Sequence, residues 1–150
     1  QSNDTIRYVN FKGNTDIISS EISATYRPSK YFRLKGSHAY YITSNSESDT
    51  RPHTLTAKVE YVEQSELKYL PNIILSGKWV SGSDIYEEKD TFTHYAPYSI
   101  WRLQLSKKLP YHFVVNAGID NLFDYVTPTT SFYSSITPGR TYFVGLKWNL

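Results

Sequence analysis

The chain has no cysteine, which excludes disulfides, thiolate chemistry and cysteine-ligated metal sites. It has no run of ten apolar residues, so no segment can cross a membrane as a helix. Charge of a single sign is lacking too. The 16 basic and 14 acidic residues are mixed along the chain, for a net charge of +2. That leaves no basic stripe of the kind nucleic-acid binders carry. No Gly/Ser linker divides the chain and no internal repeat is evident. The N-terminus, QSNDTIRYVNFKG, lacks an initiator Met, a charged n-region and an apolar h-region. A secretion signal, if the protein is exported, is expected upstream of Gln1, and the chain reads as a fragment or a mature piece.

Aromatic residues are abundant: 14 Tyr, 7 Phe and 3 Trp. They fall within a period-two pattern that recurs in segment after segment, the signature of half-buried strands. In YFRLKGSHAYYIT, Phe32, Leu34, Gly36, Tyr40 and Ile42 alternate with Arg33, Lys35, Ser37 and Thr43. In TLTAKVEY, Leu55, Ala57, Val59 and Tyr61 alternate with Thr54, Thr56, Lys58 and Glu60. YHFVVNAGID sets Tyr111, Phe113, Val115, Ala117 and Ile119 against His112, Asn116, Gly118 and Asp120. The last segment sets Tyr142, Val144, Leu146, Trp148 and Leu150 against Thr141, Gly145, Lys147 and Asn149, with Phe143 the apolar intruder.

This pattern predicts about eight antiparallel strands, near residues 5–11, 16–27, 31–43, 52–63, 71–82, 98–108, 111–121 and 140–150. Several exceed the usual globular strand and approach the roughly 9–11 residues that a tilted membrane-spanning strand needs. The connections alternate in length. Short turns are expected at Pro28–Lys30, around Gln64–Tyr69 and at Leu109–Pro110, although VEQSELKYL at 62–70 also suits a helical turn. Long polar loops are expected at 44–50, 83–96 and 122–139. Outer-membrane barrels have this asymmetry, with short turns on the periplasmic side and long loops outside. Tyr26, Tyr31, Tyr61, Tyr69, Tyr111 and Trp148 gather at the predicted short-turn side, where an interfacial girdle would form. The fold class expected is therefore all-β, a segment of an antiparallel transmembrane β-barrel, localised in the bacterial outer membrane.

The chain ends on an amphipathic strand, GRTYFVGLKWNL, which suits the closing strand of a barrel. The last 35 residues carry a more specific pattern. NAGIDNLFDYV, then a loop, then TPGRTYFVGLKWNL resembles the C-terminus of TonB-dependent outer-membrane receptors, with its NLFD strand end and later PGR-ty-x-x-G strand. The matching positions are Asn121, Leu122, Phe123 and Asp124, then Pro138, Gly139, Arg140, Thr141, Tyr142 and Gly145. Leu150 stands where the family usually ends on Phe or Trp. The segments RPSKYFRLKGSHAYY and RPHTLTAKVEY look like the family's penultimate strands. By this resemblance the chain is the C-terminal third of a 22-stranded barrel, the plug domain being absent. The activity implied is TonB-energised uptake of a scarce, bulky nutrient, most often an iron–siderophore complex or haem. The partners implied are outer-membrane lipid, the TonB complex through the missing N-terminal region, and the barrel-assembly machinery through the last strand.

The signature residues have physical readings of their own. Asn121 and Asp124 can accept backbone N–H bonds where the strand exits. Leu122 and Phe123 would anchor that exit by burial, and Pro138-Gly139 would aim the chain into the last strand. Arg140 reads as a rim charge. Arg33, Lys35, Lys58, Glu60, Lys78, Arg102, Asp120 and Lys147 fall on the polar side as a wall of mixed sign, which in the family would face plug and ligand.

Chemistry-bearing clusters are few. Tyr86, Glu87, Glu88, Asp90, His94 and Tyr95 crowd the 83–96 segment. They make it a candidate extracellular ligand loop for a cationic ligand, a metal complex or a haem edge, and equally the composition of a solvated loop. Their spacing fits no calcium loop, and one histidine makes no zinc site. Of the other histidines, His38 falls on the lipid-facing side of its strand, His53 at a strand start and His112 near a turn. No cofactor is implied by the residues. No G-x-S-x-G elbow, phosphate loop or HExxH is present, so no enzyme activity is expected. Two other architectures fit less well: a self-contained eight-stranded barrel with a structural or adhesive role, and a secreted β-sandwich.

Overall fold

The computed structural model describes residues 16–43, 51–62, 70–87, 91–127 and 138–149. Among them the chain is all-β and antiparallel, with no helix. Seven strands form one sheet in the order β1-β2-β3-β4-β7-β8-β9. They are β1 (Ile17–Tyr26), β2 (Phe32–Thr43), β3 (His53–Tyr61), β4 (Asn72–Val80), β7 (Tyr98–Lys108), β8 (Phe113–Asp120) and β9 (Thr141–Trp148). The sheet is open: β1 and β9 lie at its edges and do not pair with each other. The strand expected at 5–11 and the connection at 63–69 lie outside the described residues.

One correction concerns the segment 83–96, expected to be a polar loop. It contains a second hairpin, β5 (Ser83–Glu87) paired with β6 (Thr91–Tyr95). Its runs SDIYE and TFTHY are short and rich in aromatic and β-branched residues. Such residues favour a strand even when acidic neighbours make the segment look like loop.

The register fixes the two faces of the sheet. Phe32, Leu34, Gly36 and His38 of β2 stand opposite Tyr61, Val59, Ala57 and Leu55 of β3. Those in turn stand opposite Ile73, Leu75, Gly77 and Trp79 of β4. The row runs on through Leu105, Leu103 and Trp101 of β7 to Ala117 and Ile119 of β8, then to Val144 and Tyr142 of β9. One face is therefore apolar across all seven strands, and it is uncovered. Leu55 and Trp79 in interior strands keep 46% and 37% of their surface exposed, and Ile22 and Val144 at the edges 71% and 81%. Val80 is the one buried apolar side chain among the described residues. Among the described residues this sheet has no core in the ordinary sense.

Two glycines on the sheet are covered by neighbouring aromatics. A Cβ at Gly77 would lie 2.3 Å from the Trp101 ring, and one at Gly118 would lie 2.4 Å from Phe143. Phe143, on the face that carries the charged residues, thus covers the bare backbone of its partner strand. Gly145, opposite Asn116, has nothing near it.

Two of the turns at one end of the sheet are short. Between β1 and β2, the Ser29 hydroxyl oxygen accepts from the Tyr31 and Phe32 N–H groups. Between β7 and β8, Tyr111 and His112 both have positive φ, 59° and 63°, and the Phe113 N–H reaches back to the Pro110 carbonyl. Two positive φ values at the centre mark a type I′ hairpin turn. Tyr111, expected to begin the strand, instead sits in this turn, where bulky side chains are disfavoured.

Two stability outcomes follow. Gly77→Ala should destabilise the sheet by about 1–3 kcal/mol because the Trp101 ring must move, whereas Gly145→Ala should change stability by less than about 0.5 kcal/mol. Replacing Tyr111 and His112 by Asn and Gly should stabilise by roughly 1–2 kcal/mol, since the turn is kept and the left-handed strain is removed. Urea titration of the detergent-refolded chain, followed by tryptophan fluorescence, measures both.

Candidate functional site

The two longest connections, from β4 to β7 and from β8 to β9, lie at the opposite end of the sheet, and the expected ligand residues belong to that end. The β5–β6 register pairs Asp84 with His94, Tyr86 with Phe92 and Glu87 with Thr91. Glu88 and Asp90 lie outside the described residues. His94 Nδ1 is 2.6 Å from Asp84 Oδ1, in a pair with both side chains more than half exposed. Such pairs contribute little to stability.

The base of the hairpin is tied to the main sheet by Arg51. Its guanidinium donates to the carbonyls of Ser81 (3.1 Å) and Ala96 (3.2 Å), one on each side of the hairpin. The same group lies over the Tyr95 and Tyr98 rings at 5.8 and 5.1 Å, and Tyr98 stacks on Tyr125 with centroids 5.0 Å apart. A planar cation between aromatic faces is a favourable arrangement. None of these contacts was legible beforehand, because each joins residues far apart in sequence.

The NLFD and PGR segments come together at this end. Asn121, only 4% exposed, sits at φ 52° directly after β8. Its Oδ1 accepts from the Tyr125 N–H at 2.9 Å, and its Nδ2 donates to the carbonyls of Tyr125 (2.6 Å) and Pro138 (3.0 Å). Asp124, also at positive φ, accepts the Arg140 N–H at 2.6 Å. Gly139 lies so close that a Cβ there would be 3.0 Å from the Asp124 carboxylate. The Leu122 N–H donates to the Trp101 carbonyl, holding the exit against β7. Phe123 departs from expectation: it is 65% exposed and meets Trp101 edge-on rather than being buried. Arg140 is exposed. These residues form a structural latch that returns the chain into β9.

Beneath the latch, an open pocket of about 480 Å³ is lined by Lys78, Trp101, Arg102, Asp120 and Asn121, among others. Arg102 and Asp120 pair across it. The polar wall continues over β2 and β3, where the Glu60 carboxylate takes Arg33 at 3.1 Å and Lys58 at 2.6 Å. Lys35 and Lys58 stand directly opposite each other.

On the apolar face, His38 and His53 meet, a contact that depends on register and escaped the sequence reading. Their Nε2 and Nδ1 atoms are 3.0 Å apart, with rings within 14° of parallel. One ring N–H donates to the other's lone pair. His112 is exposed in its turn. No group of three or more metal-ligating side chains occurs among the described residues.

No family model matches the chain, and no curated protein and no solved structure is similar enough to it to serve as a relative.

Truncating Asn121 tests the latch. Asn121→Gly keeps the backbone conformation but removes three hydrogen bonds, and should cost about 1–3 kcal/mol in urea titrations. Asn121→Ala should cost roughly 1 kcal/mol more, for the left-handed φ. His94→Ala should cost less than about 0.5 kcal/mol.

Proposed function

We propose that the chain is part of the wall of an outer-membrane β-barrel, the C-terminal segment of a TonB-dependent receptor that takes up a bulky, scarce nutrient such as an iron–siderophore complex or haem. The observation that carries the membrane part is the uncovered apolar face. It spans seven strands of 8–12 residues and has no covering layer among the described residues. Water is a poor partner for so large an apolar surface, since exposed patches on soluble monomers rarely exceed a few hundred Å². Lipid tails are a suitable one.

Aromatic placement supports the same reading. At the short-turn end the apolar face carries Tyr26, Phe32, Tyr61, Phe113 and Trp148; at the other it carries Tyr40, Trp79 and Tyr142. Phe32 and Tyr40 in β2, or Tyr142 and Trp148 in β9, lie roughly 20–27 Å apart along the strand at about 3.4 Å per residue. Two aromatic belts about an apolar band are the pattern of transmembrane barrels. The polar face would then line the lumen, and the hairpin and latch would lie on the extracellular side. The receptor part of the reading rests on the NLFD and PGR segments, and the nutrient class on that resemblance alone.

The test is insertion into phospholipid vesicles with quenchers placed at known depths. Trp79 and Trp148 should be quenched best near the two interfaces and Trp101 deeper. Val144→Arg, in the middle of the apolar band, should weaken insertion by roughly 2–4 kcal/mol, and Gly145→Arg on the opposite face should not. Tryptophans that stay accessible to an aqueous quencher, with both arginine variants behaving alike, would overturn the membrane reading.

A further inference from the structure

Two of the four histidines meet across neighbouring strands. His38 lies within β2, and His53 opens β3, where it stands opposite Tyr40. The two are diagonal neighbours on one face of the sheet, within reach of each other's side chains. His38 Nε2 and His53 Nδ1 are 3.0 Å apart. The ring centroids are 5.3 Å apart and the planes within 14° of parallel, so the rings lie end to end, each with a nitrogen aimed at the other. The Tyr40 ring packs on the His53 ring at 4.8 Å between centroids and steadies how it is presented. Neither histidine is fully buried, which leaves both rings room to turn.

These nitrogens form the donor pair that a transition-metal ion takes. Imidazole binds zinc at about 2.0–2.1 Å, and copper(II) and nickel(II) hold neighbouring ligands at right angles. Two nitrogens at that distance and angle are about 3.0 Å apart, the separation found between His38 and His53. Each ring has to turn by roughly 45° to aim its lone pair at a metal beside the line joining them. One of the two facing nitrogens carries a hydrogen in the present pair. When a metal binds, that hydrogen moves to the outer nitrogen of its own ring, which frees both facing lone pairs and leaves the charge of the rings unchanged. Two coordinate bonds then replace one hydrogen bond and two of the ion's waters. Calcium and magnesium prefer oxygen ligands, whereas imidazole suits zinc, nickel and above all copper(II).

We propose that His38 and His53 form a two-imidazole site for a divalent transition-metal ion, with copper(II) bound most tightly. The chelate joins β2 to β3 at the end of their ladder, where Tyr40 pairs with His53, and it clamps the two strands there. The site depends neither on the membrane reading nor on the receptor resemblance.

The experiment uses the chain refolded in an uncharged detergent, without a histidine tag, and with copper(II) and nickel(II) as probes. Calorimetry should show one ion of either metal bound per chain. The electron paramagnetic resonance spectrum of the copper(II) form should carry the splitting of two imidazole nitrogens. His38→Gln and His53→Gln should each weaken binding about a hundredfold, because one arm of the chelate is lost, and should leave the signature of one imidazole. His94→Gln with His112→Gln keeps His38 and His53 as the only histidines, and it should bind as the parent does with the two-imidazole spectrum intact. That double variant decides the matter if either single variant loses its strand signal in circular dichroism. Bound metal should also raise the urea midpoint of the parent and of the double variant. Absence of saturable binding, a spectrum with fewer than two imidazole nitrogens, or binding that fails in the double variant overturns the proposal. So does full-strength binding in folded His38→Gln or His53→Gln.

Discussion

Everything in this structure depends on the strict alternation of side chains across a sheet that has no second layer among the described residues. In a sandwich or an α/β domain, the apolar face of a sheet is buried by another part of the same chain. Here the described residues supply no such part. Stability must come from the ladders, from neighbour contacts within each face, and from whatever surrounds the apolar side. A one-residue slip in any strand would exchange its faces, so register carries both the fold and its fit to the surroundings.

The two faces solve different problems. On the apolar side, the bare backbone of Gly77 is covered by the Trp101 ring, which evens the surface there. On the polar side, charges are shared rather than simply paired: Glu60 serves both Arg33 and Lys58, and Arg102 answers Asp120. Apolar residues on the polar side have a local reason where Phe143 covers Gly118. Ile17 and Tyr41 also lie on that side and are exposed, and nothing in the structure explains them.

Much of the main sheet was legible because period two is a local signal. The seven strands of the sheet begin and end within a few residues of their expected positions, and the face assignments made from alternation hold in the register for the residues that belong to those strands. Two failures share a cause. The β5–β6 hairpin was hidden because EEKD and SD made a short strand pair look like loop, and Tyr111 looked like strand although the turn takes it at φ 59°. In both, composition outweighed conformation. At the rim, the acceptor roles of Asn121 and Asp124 could be read from their residue types. The second half of the latch, Asn121 donating to Pro138, spans 17 positions and needs the fold. The same is true of the His38–His53 contact and of the Arg51 tie.

The hairpin at 83–95 also has a bearing on how such a wall assembles and varies. It interrupts the chain between β4 and β7, yet those two strands pair with each other in unbroken register from Asn72–Ser106 to Val80–Tyr98. Every other strand of the sheet pairs with its neighbour in sequence. The sheet can therefore grow by adding one hairpin at a time, each step closing only a short stretch of chain, which keeps the entropic cost of each step low. Because the insert stands outside the ladder, it can be lengthened, shortened or exchanged while the wall keeps its register. The insert is thereby free to diverge without refolding the sheet that holds it.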